Sequence, residues 1–289
     1  MPIALVRAAR PKQWAKNVLV AAAPGAAGVL GEARVLEHTV LAFVAFCLVA
    51  SGTYLLNDVR DVESDRKHPT KHRRPIAAGE VPESVALGTG ILAIACGLAI
   101  ALTVNWKFTA VLGVYMAITV AYTVWLKHVP VVDIAAVASG YVIRAVAGGV
   151  AVPVPISEWF LIVAGAGSLF MVGGKRHGEH LDLGEERADI RPSLGEYQLS
   201  YLRYIWMIAS AVAIMGYCLW AFEQADLRTG FPWYQLSIIP FVLAILRYAM
   251  LLEDGHGASP EDLVLGDRTL QVLGVLWMAV FGAGVYLGR

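Results

Sequence analysis

Asn57, Asp58, Asp61 and Asp65 end a long apolar run and open the most charged segment of the 289-residue chain. Read as the last turns of a helix at about 100° per residue, Asp58, Asp61 and Asp65 fall at roughly 0°, 300° and 340°, with Asn57 near 260°. Three carboxylates on one narrow face repel one another unless a cation stands among them. Mg²⁺ is the natural choice, because it takes oxygen ligands and bridges carboxylates to substrate phosphates. A single Asp there would read as a solvated helix end; three in register do not. Lys71, Arg73 and Arg74 follow closely. Acids that hold a metal, with bases just downstream, are what a polyphosphate requires. The same bases also serve as an orientation signal and an anchor for anionic lipid, the role expected of Arg66 and Lys67.

Further polar residues sit where apolar ones are the rule. Asp133 and Arg144 are eleven residues apart, so they face the same way about three helical turns from each other. An intramembrane Arg faces either a polar cavity or a pairing carboxylate, and both readings stand for Arg144. Arg247 reads as a packing or pairing residue. Lys16 and Asn17, at the end of an N-terminal basic stretch with Arg10 and Lys12, are candidates for reaching a bound phosphate. The rest of that stretch reads as membrane anchoring. His68, His72, His177 and His180 lack metal-ligand spacing and read as exposed loop residues. Cys47, Cys96 and Cys218 are scattered in apolar runs and read as small core residues.

These groups must be carried by membrane helices. The chain is 57% hydrophobic and 16% charged, with a mean hydropathy of +0.60, far from a soluble domain. Apolar runs long enough, or nearly so, to span a bilayer occur at about 16–31, 36–57, 83–104, 108–126, 131–151, 157–174, 203–222, 233–252 and 269–287. The expectation is an all-α integral membrane protein: nine transmembrane helices in one bundle with a cytoplasm-facing polar site, forming a single domain over 1–289. Pro24-Gly25 should kink or shorten the first helix. With the N-terminus cytoplasmic, seventeen Lys and Arg lie on that side. Only Arg34, Lys107, Arg228 and Arg289 lie on the other. That places the Asp stretch in the cytoplasm and the C-terminus outside a plasma membrane. Two cytoplasmic segments, 58–82 and 175–202, are long, whereas all external loops are short. A transporter would show paired broken helices or repeated halves, and none is visible.

The pattern Asn57-Asp58-x-x-Asp61-x-x-x-Asp65, with Lys71-x-x-Arg74-Pro75-Ile76-Ala77-Ala78-Gly79, resembles the first Asp-rich motif of the UbiA-type membrane prenyltransferase superfamily. Arg10 to Asn17, Tyr122 to Lys127, and Asp133 and Arg144 followed by Ala147-Gly148-Gly149 extend the resemblance over nearly the whole chain. It implies a metal site at Asn57, Asp58, Asp61 and Asp65, and site roles for Tyr122 and Lys127. The family's second motif, DxxxD, is altered here to Lys175-Arg176-His177-Gly178-Glu179. A cation replaces one acid, which weakens a second metal site and favours a directly bound phosphate. This variant resembles the decaprenyl-phosphate phosphoribosyltransferase branch. That branch implies 5-phosphoribosyl 1-diphosphate as donor, decaprenyl phosphate as acceptor, Mg²⁺ as cofactor, and no nucleic acid. The membrane lipid is a partner, and assembly with further copies is left open. On this reading Asp58, Asp61 and Lys175 carry catalysis. Lys16, Asn17, Lys71, Arg73, Arg74, Tyr122, Lys127, Arg144, Lys175, Arg176 and Glu179 bind substrate. The alternative is a prenyltransferase joining a prenyl diphosphate to a quinone or haem precursor, which predicts two intact Asp motifs.

Overall fold

A computed structural model describes residues 1–67, 71–184, 192–226, 230–255, 257 and 259–288; His68, Arg228 and Arg289 lie outside these. All regular structure among the described residues is helical. In chain order the α-helices are α1 (Pro2–Ala8), α2 (Ala22–Ala26), α3 (Ala33–Arg60), α4 (Val62–Lys67), α5 (Glu83–Val104), α6 (Trp106–Val124), α7 (Val132–Ala151), α8 (Glu158–Leu183), α9 (Pro192–Glu196), α10 (Leu199–Asp226), α11 (Trp233–Glu253), α12 (Pro260–Gly266) and α13 (Arg268–Leu287). Three 3₁₀ segments, Pro11–Ala21, Lys71–Arg73 and Leu126–His128, complete the order. Seven helices among the described residues are long and apolar enough to cross a membrane: α3, α5, α6, α7, α10, α11 and α13. The expected first span departs from a plain helix, being the segment Pro11–Ala21 followed by the five-residue α2. Pro24 lies in the first turn of α2, where its missing N–H is tolerated. The run expected as the sixth span lies on helix α8, which is not one of those seven and whose polar C-terminal turns carry Lys175 to Glu179.

The helices group into two compact units. One comprises 1–25, 29–124 and 143–155; the other 26–28, 125–142 and 156–289, so the boundary falls inside α7. In the first unit, α3 lies against α5 at small residues. A Cβ on Gly52 would come within 2.6 Å of the Gly90 carbonyl oxygen, and one on Gly97 within 2.8 Å of Val49. Small side chains allow two helices to approach this closely where lipid offers no hydrophobic drive to associate. Phe46, Phe108, Leu112 and Tyr115 fill the core beside them. The 3₁₀ segment Pro11–Ala21 is docked onto α7 backbone to backbone, since a Cβ on Gly148 would lie 1.8 Å from the Val20 carbonyl oxygen. The backbone has no side-chain rotamer with which to relieve that overlap. Gly148→Ala is expected to destabilise the unit by about 1–3 kcal/mol, read as a lowered melting temperature in detergent.

In the second unit, α8 packs on α10 and α11. Gly173 meets Ile205 and Trp206, and a Cβ on Gly174 would approach Leu252 to 2.5 Å. Phe170, Trp206, Tyr248 and Leu252 form the core there. Asp267 caps α13 by accepting from the Leu270 N–H at 2.8 Å, and it pairs with Arg247 at 2.6 Å. Arg247 therefore has the pairing role expected of it. The Arg247 hydrogen bond, helped by the Leu270 N–H, holds the Asp267 carboxyl below its ordinary range. A depressed folded-state pKa stabilises above the unfolded value, about 3.9, and the benefit is lost as pH falls through the folded value. The stability difference between wild type and Asp267→Asn should thus be constant from about pH 8 to 5 and close below about pH 4. Melts across that range check it.

Candidate active site

α3 is 28 residues long, about 42 Å at 1.5 Å per residue. That exceeds a hydrocarbon core of about 30 Å, so its final turns, with Asn57 and Asp58, can extend past the apolar layer. The expected single helix through Asp65 is divided at Asp61, whose φ of −93° and ψ of 8° end α3 before α4 begins. The i to i+4 bonds nevertheless continue: Asp61 N donates to the Asn57 carbonyl at 2.9 Å and Asp65 N to the Asp61 carbonyl at 2.8 Å. The helical register therefore survives the joint. Asp58 and Asp65, both 3% exposed, share one guanidinium: Arg74 Nη1 lies 3.1 Å from Asp58 Oδ1 and 2.6 Å from Asp65 Oδ2. Asn57 donates its Nδ2 to Thr123 Oγ1 at 3.1 Å, a bond that spares the carbonyl oxygen a cation would take. Asp61 is half-exposed at the joint.

No three His, Cys, Asp or Glu residues among those described converge as metal ligands. The donor set still suits Mg²⁺: two buried carboxylates already straddle a cation, and every available donor is a hard oxygen.

Arg74 is positioned by a folded turn. Ile76, Ala77 and Val81 are buried; Ile76 and Val81 pack with Leu55, Val62, Ala4 and Ala8. Pro75 accepts from the N–H groups of Glu80 and Val81, and Gly79, at φ 75°, occupies a left-handed position that favours glycine. The apolar half of Arg74-Pro75-Ile76-Ala77-Ala78-Gly79 is thus the anchor and Arg74 is the part it aims. Lys71 is half-exposed and Arg73 exposed on the preceding 3₁₀ turn.

Asn17 and Arg144 are brought together, in a buried network. Arg144 Nε donates to Asn17 Oδ1 at 2.7 Å and Nη2 to the Tyr115 hydroxyl at 2.8 Å. Its guanidinium lies over the Tyr115 ring at 4.6 Å and near Phe46 at 5.8 Å. Asn17, fully buried, also donates to Cys47 Sγ at 3.2 Å. An Arg at membrane depth is satisfied here by hydrogen bonds and aromatic faces, and it ties the Pro11–Ala21 segment to α7. Lys16 is half-exposed on the same segment. Tyr122, half-buried, lies in the last turn of α6 in the first unit. Lys127, also half-buried, belongs to the second.

In the second unit Lys175 and Arg176 separate in role. Lys175 has a side chain 31% exposed, 3.8 Å from Glu179. Arg176 is 1% exposed and fully engaged: Nε donates to Asp133 Oδ2 at 3.0 Å and Nη1 to Glu179 Oε2 at 2.7 Å. Asp133, fully buried, also accepts from the Tyr197 hydroxyl at 2.6 Å and from Ser193 at 3.4 Å. Burial and donation to Asp133 push the Tyr197 hydroxyl well above its usual pKa, so it remains a donor. Asp133 thus belongs to this ion pair, and Arg144, in the other unit, has its own partners. His177 also departs from expectation: it is 1% exposed inside α8, edge-on to Trp206, and not a loop residue. Burial lowers its pKa, keeping it neutral near pH 7.

Arg10, which read as membrane anchoring, instead meets the acidic stretch. Its guanidinium lies 2.5 Å from Asp58 Oδ1 and 4.8 Å from the Tyr54 ring centroid. Trp14 and the Ala9 carbonyl both bond Ser51 at 2.9 Å, pinning this part of the chain to α3. The available signal was Pro11, which disfavours helical backbone at the residue before it.

The sequence pattern of the UbiA prenyltransferase family matches residues 18–265. A Corynebacterium glutamicum protein described as decaprenyl-phosphate phosphoribosyltransferase is 46% identical over 98% of this chain and 87% of its own. A Mycobacterium tuberculosis protein of the same description is 49% identical over 98% of this chain and 95% of its own. Among solved structures, a UbiA homolog from Archaeoglobus fulgidus bound to GPP and Mg²⁺ superposes with a TM-score of 0.72. It is 18% identical, with 98% of this chain and 99% of that one covered, a likeness that shows the shared fold. By sequence pattern and by full-length relatives, this multi-pass helical chain belongs to the UbiA prenyltransferase family.

Proposed function

We propose that the chain transfers the 5-phosphoribosyl group of 5-phosphoribosyl 1-diphosphate to decaprenyl phosphate, yielding decaprenylphosphoryl 5-phosphoribose and diphosphate. The observation that carries this reading is 46–49% identity over 98% of the chain to decaprenyl-phosphate phosphoribosyltransferases. Lys175, a partly exposed cation where the family's second motif carries an acid, supports it. Mg²⁺ held by Asn57, Asp58, Asp61 and Asp65 would supply the positive charge that the leaving diphosphate needs. Asp58 and Asp65 offer the buried carboxylates; Arg74 neutralises the remaining phosphoryl oxygens. The C1–O bond to diphosphate breaks with its electron pair, and an acceptor phosphate oxygen forms the new C1–O bond from the opposite face. A phosphate monoester is already anionic near neutral pH, so no side chain need remove a proton. Lys16, Lys71, Arg73, Tyr122, Lys127 and Lys175 are assigned to the donor 5-phosphate and the acceptor phosphate. Asn17, Arg144, Arg176 and Glu179 are kept with the substrate-binding set, Asn17 held by Arg144 and Glu179 by Arg176.

Nine spans, with the Asp stretch and N-terminus cytoplasmic and the C-terminus external, remain part of this reading, as does a single functional domain over 1–289. Eleven residues of 3₁₀ helix at about 2.0 Å each and five of α-helix reach about 30 Å, close to a hydrocarbon thickness. α8 supplies the other span beyond the seven.

The test is purified protein with labelled phosphoribosyl diphosphate, Mg²⁺ and decaprenyl phosphate. Lipid-linked label is expected. Its absence, together with turnover of a prenyl diphosphate and an aromatic acceptor, would replace this reading with the prenyltransferase one.

A further inference from the structure

We propose that Arg10 is a diphosphate-binding residue which, before loading, occupies the cation's place on Asp58, so that metal and diphosphate enter as a pair. This rests on the metal and diphosphate reading of the stretch from Asn57 to Asp65 given above.

Asp58 is 3% exposed, and its Oδ1 is shared by two guanidiniums, Arg10 at 2.5 Å and Arg74 at 3.1 Å. A buried carboxylate needs a counter-charge, and here two monovalent ones stand where a divalent ion would act. A cation binding alone must displace Arg10 from Asp58 with no anion supplied in exchange, while Arg74 keeps its second carboxylate, Asp65, at 2.6 Å. A cation arriving with diphosphate moves Arg10 onto phosphoryl oxygens, which Arg binds strongly and bidentately. The exchange is therefore favourable mainly as a pair.

Arg10 is built for a short move of this kind. Its backbone adopts a left-handed conformation at φ 55°, rare for a residue with a side chain, between α1 and the Pro11–Ala21 segment. Both sides of that turn are tied down: Arg10 N donates to the Arg7 carbonyl and Gln13 N to the Arg10 carbonyl. The side chain is 30% exposed and rests on the Tyr54 ring, a face on which a planar guanidinium can slide while keeping its contact. A fixed backbone with a partly solvated guanidinium allows the head group to leave Asp58 without unfolding the segment.

The test measures Mn²⁺ binding by electron paramagnetic resonance, with and without inorganic diphosphate, free Mn²⁺ being held constant. In wild type, diphosphate should tighten Mn²⁺ about tenfold or more, and Mn²⁺ should tighten diphosphate by the same factor. Arg10→Ala should shift the two affinities in opposite directions: Mn²⁺ alone binds several-fold tighter, diphosphate with saturating Mn²⁺ roughly tenfold weaker. Arg10→Lys should stay near wild type for Mn²⁺ alone yet weaken diphosphate, because a point charge lacks the fork. A purely structural Arg10 would weaken both ligands together. Absence of wild-type coupling, or Mn²⁺ affinity in Arg10→Ala equal to or below wild type, overturns the exchange and leaves the metal site intact. Unchanged Mn²⁺ binding in Asp58→Asn would instead remove the metal reading, and the exchange with it.

Discussion

Asp58→Asn is expected to lower turnover by about a thousandfold while the protein remains folded. The change keeps the side chain's size and removes the charge that both Arg10 and Arg74 contact. Arg74 retains Asp65 at 2.6 Å, and Arg10, 30% exposed, can turn to water, so neither guanidinium is left buried without an anion. The loss therefore falls on catalysis. Leaving-group charge goes uncompensated just where the C1–O bond must break. Single-turnover rates with phosphoribosyl diphosphate, alongside a melt in detergent, separate the two effects; wild-type rates would overturn the assignment of Asp58.

The adjacent cations Lys175 and Arg176 should respond in opposite ways. Arg176→Ala removes the counter-charge of Asp133, a fully buried carboxylate, and a broken buried pair costs about 3–5 kcal/mol. Tyr197 and Ser193 still bond Asp133, but neutral donors do not replace a guanidinium. The variant should melt far below wild type and recover poorly from membranes. Lys175→Ala removes a side chain that is 31% exposed and 3.8 Å from its carboxylate partner, a contact of little stabilising value. Its melt should be unchanged while KM for a phosphorylated substrate rises roughly tenfold. Equal melting losses in both variants would show that Lys175 is structural too.

Much of this was legible from sequence because it depends on local patterns. The seven apolar helices follow from runs of low transfer cost, and the Asp register follows from helical period, which persists through the joint at Asp61. The departures have physical causes of their own. The first run is divided between the 3₁₀ segment Pro11–Ala21 and the five-residue α2, which holds Pro24 in its first turn. His177 looked like a loop residue because α8 continues for two more turns beyond its apolar part. Arg144 and Asp133 share a helix face by period, yet each has a different set of partners.

The sequence by itself determined the family, the membrane character, the acidic stretch and the exchange of an acid for Lys175, since each is written in residue type and spacing. Only the tertiary structure decided which cation meets which acid. Arg10 reaches Asp58 across 48 residues and Arg176 reaches Asp133 across 43. Hydropathy reports what it costs to place a charge in the membrane and not which partner lowers that cost. Hence Arg176, expected to bind substrate, is sealed in a buried ion pair, while Arg10, which read as membrane anchoring, stands on Asp58.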